Sequence, residues 1–436
     1  MIRNGKSPSL RGLQEWGART RSILLMLVLT AAICAAQSAG PVIEVPNPPN
    51  TAAQQAKHYV VLVSLDGFRY DYATKYGAKN LLAMATRGAS APEGIIPSYP
   101  SVTFPNHWTI VTGLYPEHHG VVANSFYDPS RKEKYSSSDP KTSGDGSWYG
   151  GTPLWVLAEQ QGMRSACFFW PGSEAEIRGK RPSYYLHFDD KFPDEKRVEQ
   201  ALAWLRLPPE KRPHFITLYY SNVDHMGHSF GPDAPETAEA VRHVDDMIGK
   251  LSAGISALGL PVDLIVLADH GMVATQGDLI ALDKWADLSQ FETVGPLLYA
   301  KSEADAEKAY NSLRGASDKF KVYRRAKMPK RLHFNSNPRE GDPIVILTGP
   351  FKLAAHAPDN FVDSIRGAHG YDPGIMASMK AIFYAAGVDI RPGVSVASFE
   401  NVDVYPLIAK ILGLQTGPID GKIRVLQRIL KKNSQN

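Results

Sequence analysis

The chain has 436 residues, 43% hydrophobic and 21% charged, the balance of a folded globular protein with a sizeable core. Its formal charge of +4 arises in the first forty residues, where Arg3, Lys6, Arg11, Arg19 and Arg21 outnumber Glu15; the remainder is neutral. Charge therefore gives no case for a nucleic-acid or membrane-surface partner.

Residues 1–39 read as a signal peptide, with a basic stretch ending at Arg21, the apolar run Ile23 to Leu29, and small residues to Ala39. The apolar core is short for a membrane span. Export to a periplasm, or secretion, is expected; an uncleaved anchor is the alternative. Cleavage near Ala36 to Ala39 would leave Cys167 as the remaining cysteine. An exported chain with no intramolecular disulfide suggests a bacterial periplasm more than an animal secretory route. Residues 40–57, Pro-rich and polar, read as a linker. A single domain is expected over 58–425, followed by a basic tail over 426–436.

Five apolar, β-rich runs are predicted strands: 59–65, 165–170, 215–220, 264–268 and 381–385. They alternate little, as expected of strands buried on both faces. Helical patterns over 78–87, 153–161, 196–205, 235–258 and 404–412 are interspersed. The alternation predicts an α/β fold, a doubly wound and mostly parallel sheet flanked by helices. Residues 128–150 read as a surface excursion. Residues 274–360 read as a smaller inserted α+β subdomain, with a helix near 304–313 and a strand near 344–347.

The proline-stiffened stretch Pro97 to Pro105 leads into a helix ending at Gly113, with Thr103 in the cap position. A hydroxyl there is surrounded by free backbone N–H groups, a ready phosphate site. Strand ends supply the partners: Asp66-Gly67, Asp224-His225-Met226-Gly227-His228 and Asp269-His270-Gly271, with Ala368-His369-Gly370 before the fifth strand. Any one of these residues alone is more often a turn or cap group. Their recurrence at successive strand ends, where such sheets bind ligands, reverses that expectation. Asp66, Asp224, His228, Asp269, His270 and His369 form a zinc-like donor set, large enough for two ions with Thr103 as an added ligand. Such a pair can hold both the attacking and the leaving oxygen of a displacement at phosphorus. His107 could support the set from behind; His118, His119, His225 and His243 fit ordinary structural or solvated roles.

These motifs, together with Asn124-Ser125-Phe126-Tyr127-Asp128 and Phe169-Trp170-Pro171-Gly172-Ser173, resemble the nucleotide pyrophosphatase/phosphodiesterase family of the alkaline phosphatase superfamily, bacterial type. The resemblance runs from about Tyr59 to Leu414 and implies an alkaline phosphatase-like fold. It implies one zinc on Asp66, Thr103, Asp269 and His270, and another on Asp224, His228 and His369. Thr103 would be the nucleophile of a phosphothreonine intermediate, with Asn124 and the Thr103 N–H donating to a phosphate oxygen.

Thr103-Phe104-Pro105-Asn106-His107 lacks the modifiable residue and the arginine of sulfatases, and no cationic group for a monoester is evident. Phe104 and Tyr219 fall where the family has the two faces of a nucleobase slot. Phe188 stands where nucleotide-cleaving relatives tend to have Tyr, keeping a stacking surface without its hydroxyl. The expected activity is cleavage of nucleoside triphosphates and dinucleotides to 5′-monophosphates. The alternatives are a choline phosphodiester or phosphonate hydrolase, and a non-catalytic metal- or nucleotide-binding descendant. No nucleic-acid-binding surface is evident and no membrane span is expected in the mature chain; the sequence implies nothing about a protein partner.

Overall fold

Tyr59–Leu65 lacks a polar face, and all seven residues are buried. A strand of this kind belongs in the middle of a covered sheet. It pairs in parallel with Phe215–Tyr220 on one side and Val262–Leu267 on the other. The full sheet has nine strands, in the order Ile43–Glu44, Tyr184–Tyr185, Ser165–Phe168, Phe215–Tyr220, Tyr59–Leu65, Val262–Leu267, Phe383–Gly387, Ala89–Ser90, Val394–Ser395. The computed structural model describes residue 1 and residues 40–277, 279–357 and 364–432. The expected signal peptide lies outside them apart from Met1, as does the end of the tail. The fold described below belongs to the unit from Val42 onward.

The five predicted strands are all present, and one runs the other way. Phe383–Gly387 is antiparallel to Val262–Leu267, making the sheet mixed. This reversal brings the start of that strand, and the loop before it, to the edge where the parallel strands end. The sequence pattern did not announce the two-residue strands at the sheet margins, which are too short to carry a periodicity.

Helices cover both faces. Pro235–Leu258 packs against Lys79–Arg87 and Asp194–Leu205, while Thr103–Thr112 packs against Val404–Leu412, which lies on the central strand. Residues 280–355 hold an apolar cluster that includes Leu282, Leu298, Leu313 and Phe320. Around it are the helix Glu303–Leu313 and the paired strands Phe320–Tyr323 and Ile344–Leu347.

Three expectations are corrected. The linker is partly woven into the domain: Ile43–Glu44 pairs with Tyr184–Tyr185, and Asn50, buried, donates to the Pro209 and Arg212 carbonyls. The tail begins as a packed element, since Leu426, Ile429 and Leu430 are buried. The excursion over 128–150 is also anchored: Tyr135, Trp148 and Tyr149 are buried around Phe126, and their aromatic area outweighs the polar residues between them.

Candidate active site

Asp66 follows the end of its strand directly, and Asp269 lies two residues past Leu267. The chain after Phe215–Tyr220 turns at once into the helix Asn222–Phe230, whose i,i+4 spacing sets Asp224 and His228 on one face. His369 arrives from the loop before the antiparallel strand. Gly67 allows the close approach: its φ is +70°, and a Cβ there would lie 2.8 Å from the Asp224 Cα.

The six side chains meet in two adjoining groups. In one, His228 Nε2 and His369 Nε2 lie 3.4 and 3.6 Å from Asp224 Oδ1 and 3.1 Å from each other. In the other, His270 Nε2 is 3.0 Å from Asp269 Oδ2, 3.5 Å from Asp66 Oδ1 and 3.3 Å from Thr103 Oγ1. Donor atoms about 2.0–2.1 Å from one tetrahedral centre stand about 3.3 Å apart, so both groups have the span of a zinc site. The groups abut, with the His270 and His369 rings stacked 3.6 Å apart.

The hydrogen bonds point the same way. Asp66 Oδ2 accepts from the Tyr219 hydroxyl at 2.6 Å and Asp269 Oδ1 from the Gly67 N–H at 3.3 Å. The other oxygens, Asp66 Oδ1 and Asp269 Oδ2, are buried without a hydrogen-bond partner among the described residues, as is Asp224 Oδ1. These orphaned atoms are the ones that face the histidine nitrogens. The Nδ1 atoms of His228, His270 and His369 lie 2.8, 3.0 and 3.0 Å from the carbonyls of Gly367, Gly271 and Ser101. A donated Nδ1–H leaves each Nε2 lone pair turned inward, the arrangement a metal-binding imidazole requires. The residues fit a pair of divalent cations.

Electrostatics add to the case. Burial, then the Asp269 and Asp224 charges, push the Asp66 carboxyl well above its usual range. Burial also raises Asp224, with His228 and His270 opposing. At Asp269 the neighbouring His270 and His107 outweigh burial and hold the group low. Three buried carboxyls this close need positive charge among them.

Thr103 is the first residue of its helix, and Val102 takes the cap position without a side-chain cap bond. The expected cap is thus displaced by one residue, which leaves the Thr103 hydroxyl free to face His270. Asn124 Oδ1 accepts from the Phe104 N–H at 2.9 Å, fixing the amide with its NH2 as the remaining donor. His107 is fully buried, its Nε2 2.8 Å from Ser64 Oγ and its Nδ1 2.9 Å from the Thr103 carbonyl and 3.5 Å from Asp269 Oδ2. It braces the helix start against a proposed ligand. Its place four residues after Thr103 was the available signal.

Tyr219 makes a contact that the sequence reading did not foresee: it is buried and its hydroxyl donates to Asp66 Oδ2. Phe188 is 50% exposed, its ring 6.1 Å from Tyr219 and 5.4 Å from Phe169. Nothing in a strand pattern separates an inward tyrosine that holds a carboxylate from one that lines a slot.

The sequence model of the type I phosphodiesterase / nucleotide pyrophosphatase family matches residues 60–372. An uncharacterised pyrophosphatase/phosphodiesterase of Schizosaccharomyces pombe is 37% identical over 382 residues, 83% of this chain and 78% of that protein. Human ectonucleotide pyrophosphatase/phosphodiesterase family member 1 is 36% identical over 85% of this chain, which spans only 42% of the human protein. Murine ectonucleotide pyrophosphatase/phosphodiesterase 5, in an inactive threonine-to-alanine variant complexed with AMP, superposes with a TM-score of 0.80 at 28% identity, covering 86% of this chain and all of that one. The nine-stranded sheet is accordingly the alkaline phosphatase-like fold of those structures, and the chain belongs to the type I phosphodiesterase / nucleotide pyrophosphatase family.

Proposed function

We propose that this chain hydrolyses nucleoside triphosphates and dinucleotides to nucleoside 5′-monophosphates, with Thr103 as the nucleophile. The observation that carries the reading is the convergence of Asp66, Asp269 and His270 with Thr103, beside Asp224, His228 and His369, at metal-ligand spacing. The murine relative, inactive as a threonine-to-alanine variant and holding AMP, supports both the nucleophile and the product class.

Two divalent cations, zinc by the character of the donors, would lower the effective pKa of the Thr103 hydroxyl and offset charge on the leaving oxygen when bound. Asp66, Thr103, Asp269 and His270 would hold one, and Asp224, His228 and His369 the other. Thr103 Oγ attacks phosphorus in line with the departing oxygen, forming a phosphothreonine that water then cleaves. The Asn124 NH2 and the Thr103 N–H, one of the free donors of the first helical turn, stabilise the non-bridging oxygens. Phe104 and the half-exposed Phe188 offer apolar ring surface to the base.

Export to a periplasm is part of the proposal, supported by the leader pattern and by the ectonucleotide designation of the mammalian relatives. Among the described residues no helix is long and apolar enough to cross a membrane.

The test is to incubate zinc-loaded protein with ATP, a dinucleotide, a choline phosphodiester and a phosphate monoester, and identify products. AMP and pyrophosphate from ATP are expected. Turnover of the choline diester alone would overturn the assignment.

A further inference from the structure

Ser101 stands two residues before Thr103 and 268 before His369, and it ties the two segments together. It is fully buried. Its carbonyl faces His369 Nδ1 at 3.0 Å, its hydroxyl donates to the Tyr371 carbonyl at 2.7 Å, and its Oγ accepts the Gly370 N–H at 3.2 Å. One residue thus holds three consecutive residues of the loop that carries His369. Gly370 lets the segments close up: its φ is +101°, and a Cβ there would lie 3.1 Å from Val102 Cγ1. The same loop orients His228, whose Nδ1 is 2.8 Å from the Gly367 carbonyl.

The nucleophile side of this contact is braced. Asn106, also buried, accepts at Oδ1 from the Ser98 N–H and the Asn401 amide, while its own NH2 donates to the Pro100 and Val102 carbonyls. A loop closed in this way leaves Ser101 little freedom, so its contacts set the His369 loop rather than yield to it.

We infer that Ser101 is a positioning residue: its hydroxyl fixes the loop of residues 367–371, and so aims the His369 and His228 Nε2 lone pairs beside Asp224, in register with the Thr103 hydroxyl. The inference rests on the metal-dependent reading of the site given above. In Ser101→Ala the Gly370 N–H and the Tyr371 carbonyl lose the hydroxyl, and the loop shifts to satisfy them elsewhere. Two of the three donors in the Asp224 group move with it. The group of Asp66, Thr103, Asp269 and His270 keeps its donors in place.

The test titrates zinc against a fluorescent chelator in wild type, Ser101→Ala and Ser98→Ala. Ser98 belongs to the same loop, but its hydroxyl donates to Asn401 Oδ1. The expected result is that one of two zinc ions is held about tenfold more weakly in Ser101→Ala, the other as in wild type, and that Ser98→Ala changes neither. The free zinc needed for half-maximal ATP cleavage should rise by the same factor. A merely structural role would lower the melting temperature of Ser101→Ala and leave its zinc titration as in wild type. That outcome, in protein that cleaves ATP, would overturn the inference and leave the nucleotide reading standing. Equal weakening of both ions, or the same weakening in Ser98→Ala, would also overturn it, since the effect would then belong to the whole loop. Wild-type protein that binds no zinc and cleaves no ATP would remove both readings together.

Discussion

His228 and His369 face each other Nε2 to Nε2 at 3.1 Å, each with its Nδ1 against a backbone carbonyl. Two neutral rings so held aim lone pairs at one another, and Asp224 Oδ1 completes the triangle with more negative charge. A cation among the three relieves the repulsion and uses all three donors.

Removing that cation is the first test. Prolonged chelation is expected to abolish phosphodiester turnover and lower the melting temperature, with zinc restoring both. Elemental analysis should find about two metal ions per chain, and about one in His369→Ala. A metal-free sample with full activity would refute the metal assignment.

Thr103→Ala removes the hydroxyl and leaves six other donors in place. Metal content is expected to stay near wild type while kcat falls by about a thousandfold or more. Rapid-quench trapping of phosphate on the wild-type protein, and its absence in the variant, would check the covalent step.

Asn124→Ala tests a donor whose position is set by the Phe104 N–H. The loss is expected mainly in kcat, by about 10²–10³-fold, with a smaller change in KM. An equal loss in Asn124→Asp would indicate that the NH2, rather than the accepting oxygen, does the work.

Tyr219→Phe deletes one hydroxyl and keeps the ring. Asp66 loses its 2.6 Å hydrogen bond, and metal affinity or activity is expected to fall about 10–100-fold. A competition titration with a fluorescent zinc chelator reads this directly. Unchanged affinity would return Tyr219 to a packing role.

At the opposite edge of the sheet, Asp263 is fully buried facing Asp389, which is paired with His58 at 2.6 Å, and Lys431 lies close by. Burial, opposed by the Asp389 N–H and reinforced by the Asp389 charge, pushes the Asp263 carboxyl up to about 8. The folded chain therefore keeps this proton while the unfolded chain releases it near pH 4. Stability from this group is full below that pH and is lost as pH rises through about 8. Asp263→Asn should escape the loss, so its melting temperature relative to wild type should climb across that window and level off above it. Parallel melting curves for the two proteins would disprove this.

The proposed donor residues were legible in the sequence because side chains gathered at strand ends leave Asp, His and Gly in short runs after apolar segments. Asp66, Asp269 and His270 are where those runs put them. The central strands were equally plain, since burial on both faces writes a continuous apolar stretch. Much of the rest was invisible because its signal is distributed over distant segments. The direction of Phe383–Gly387 depends on which neighbour it pairs with, and no residue within it records that choice. The inward turn of Tyr219 depends on a carboxylate 153 positions away. The apolar cavity beside His369 exists because residues 294–297 and 343–353 come together near Val102 and Asn124. Local patterns determine which groups a chain possesses; packing between distant segments decides which atoms face one another, and only that fixes orphaned oxygens, held tautomers and the walls of a cavity.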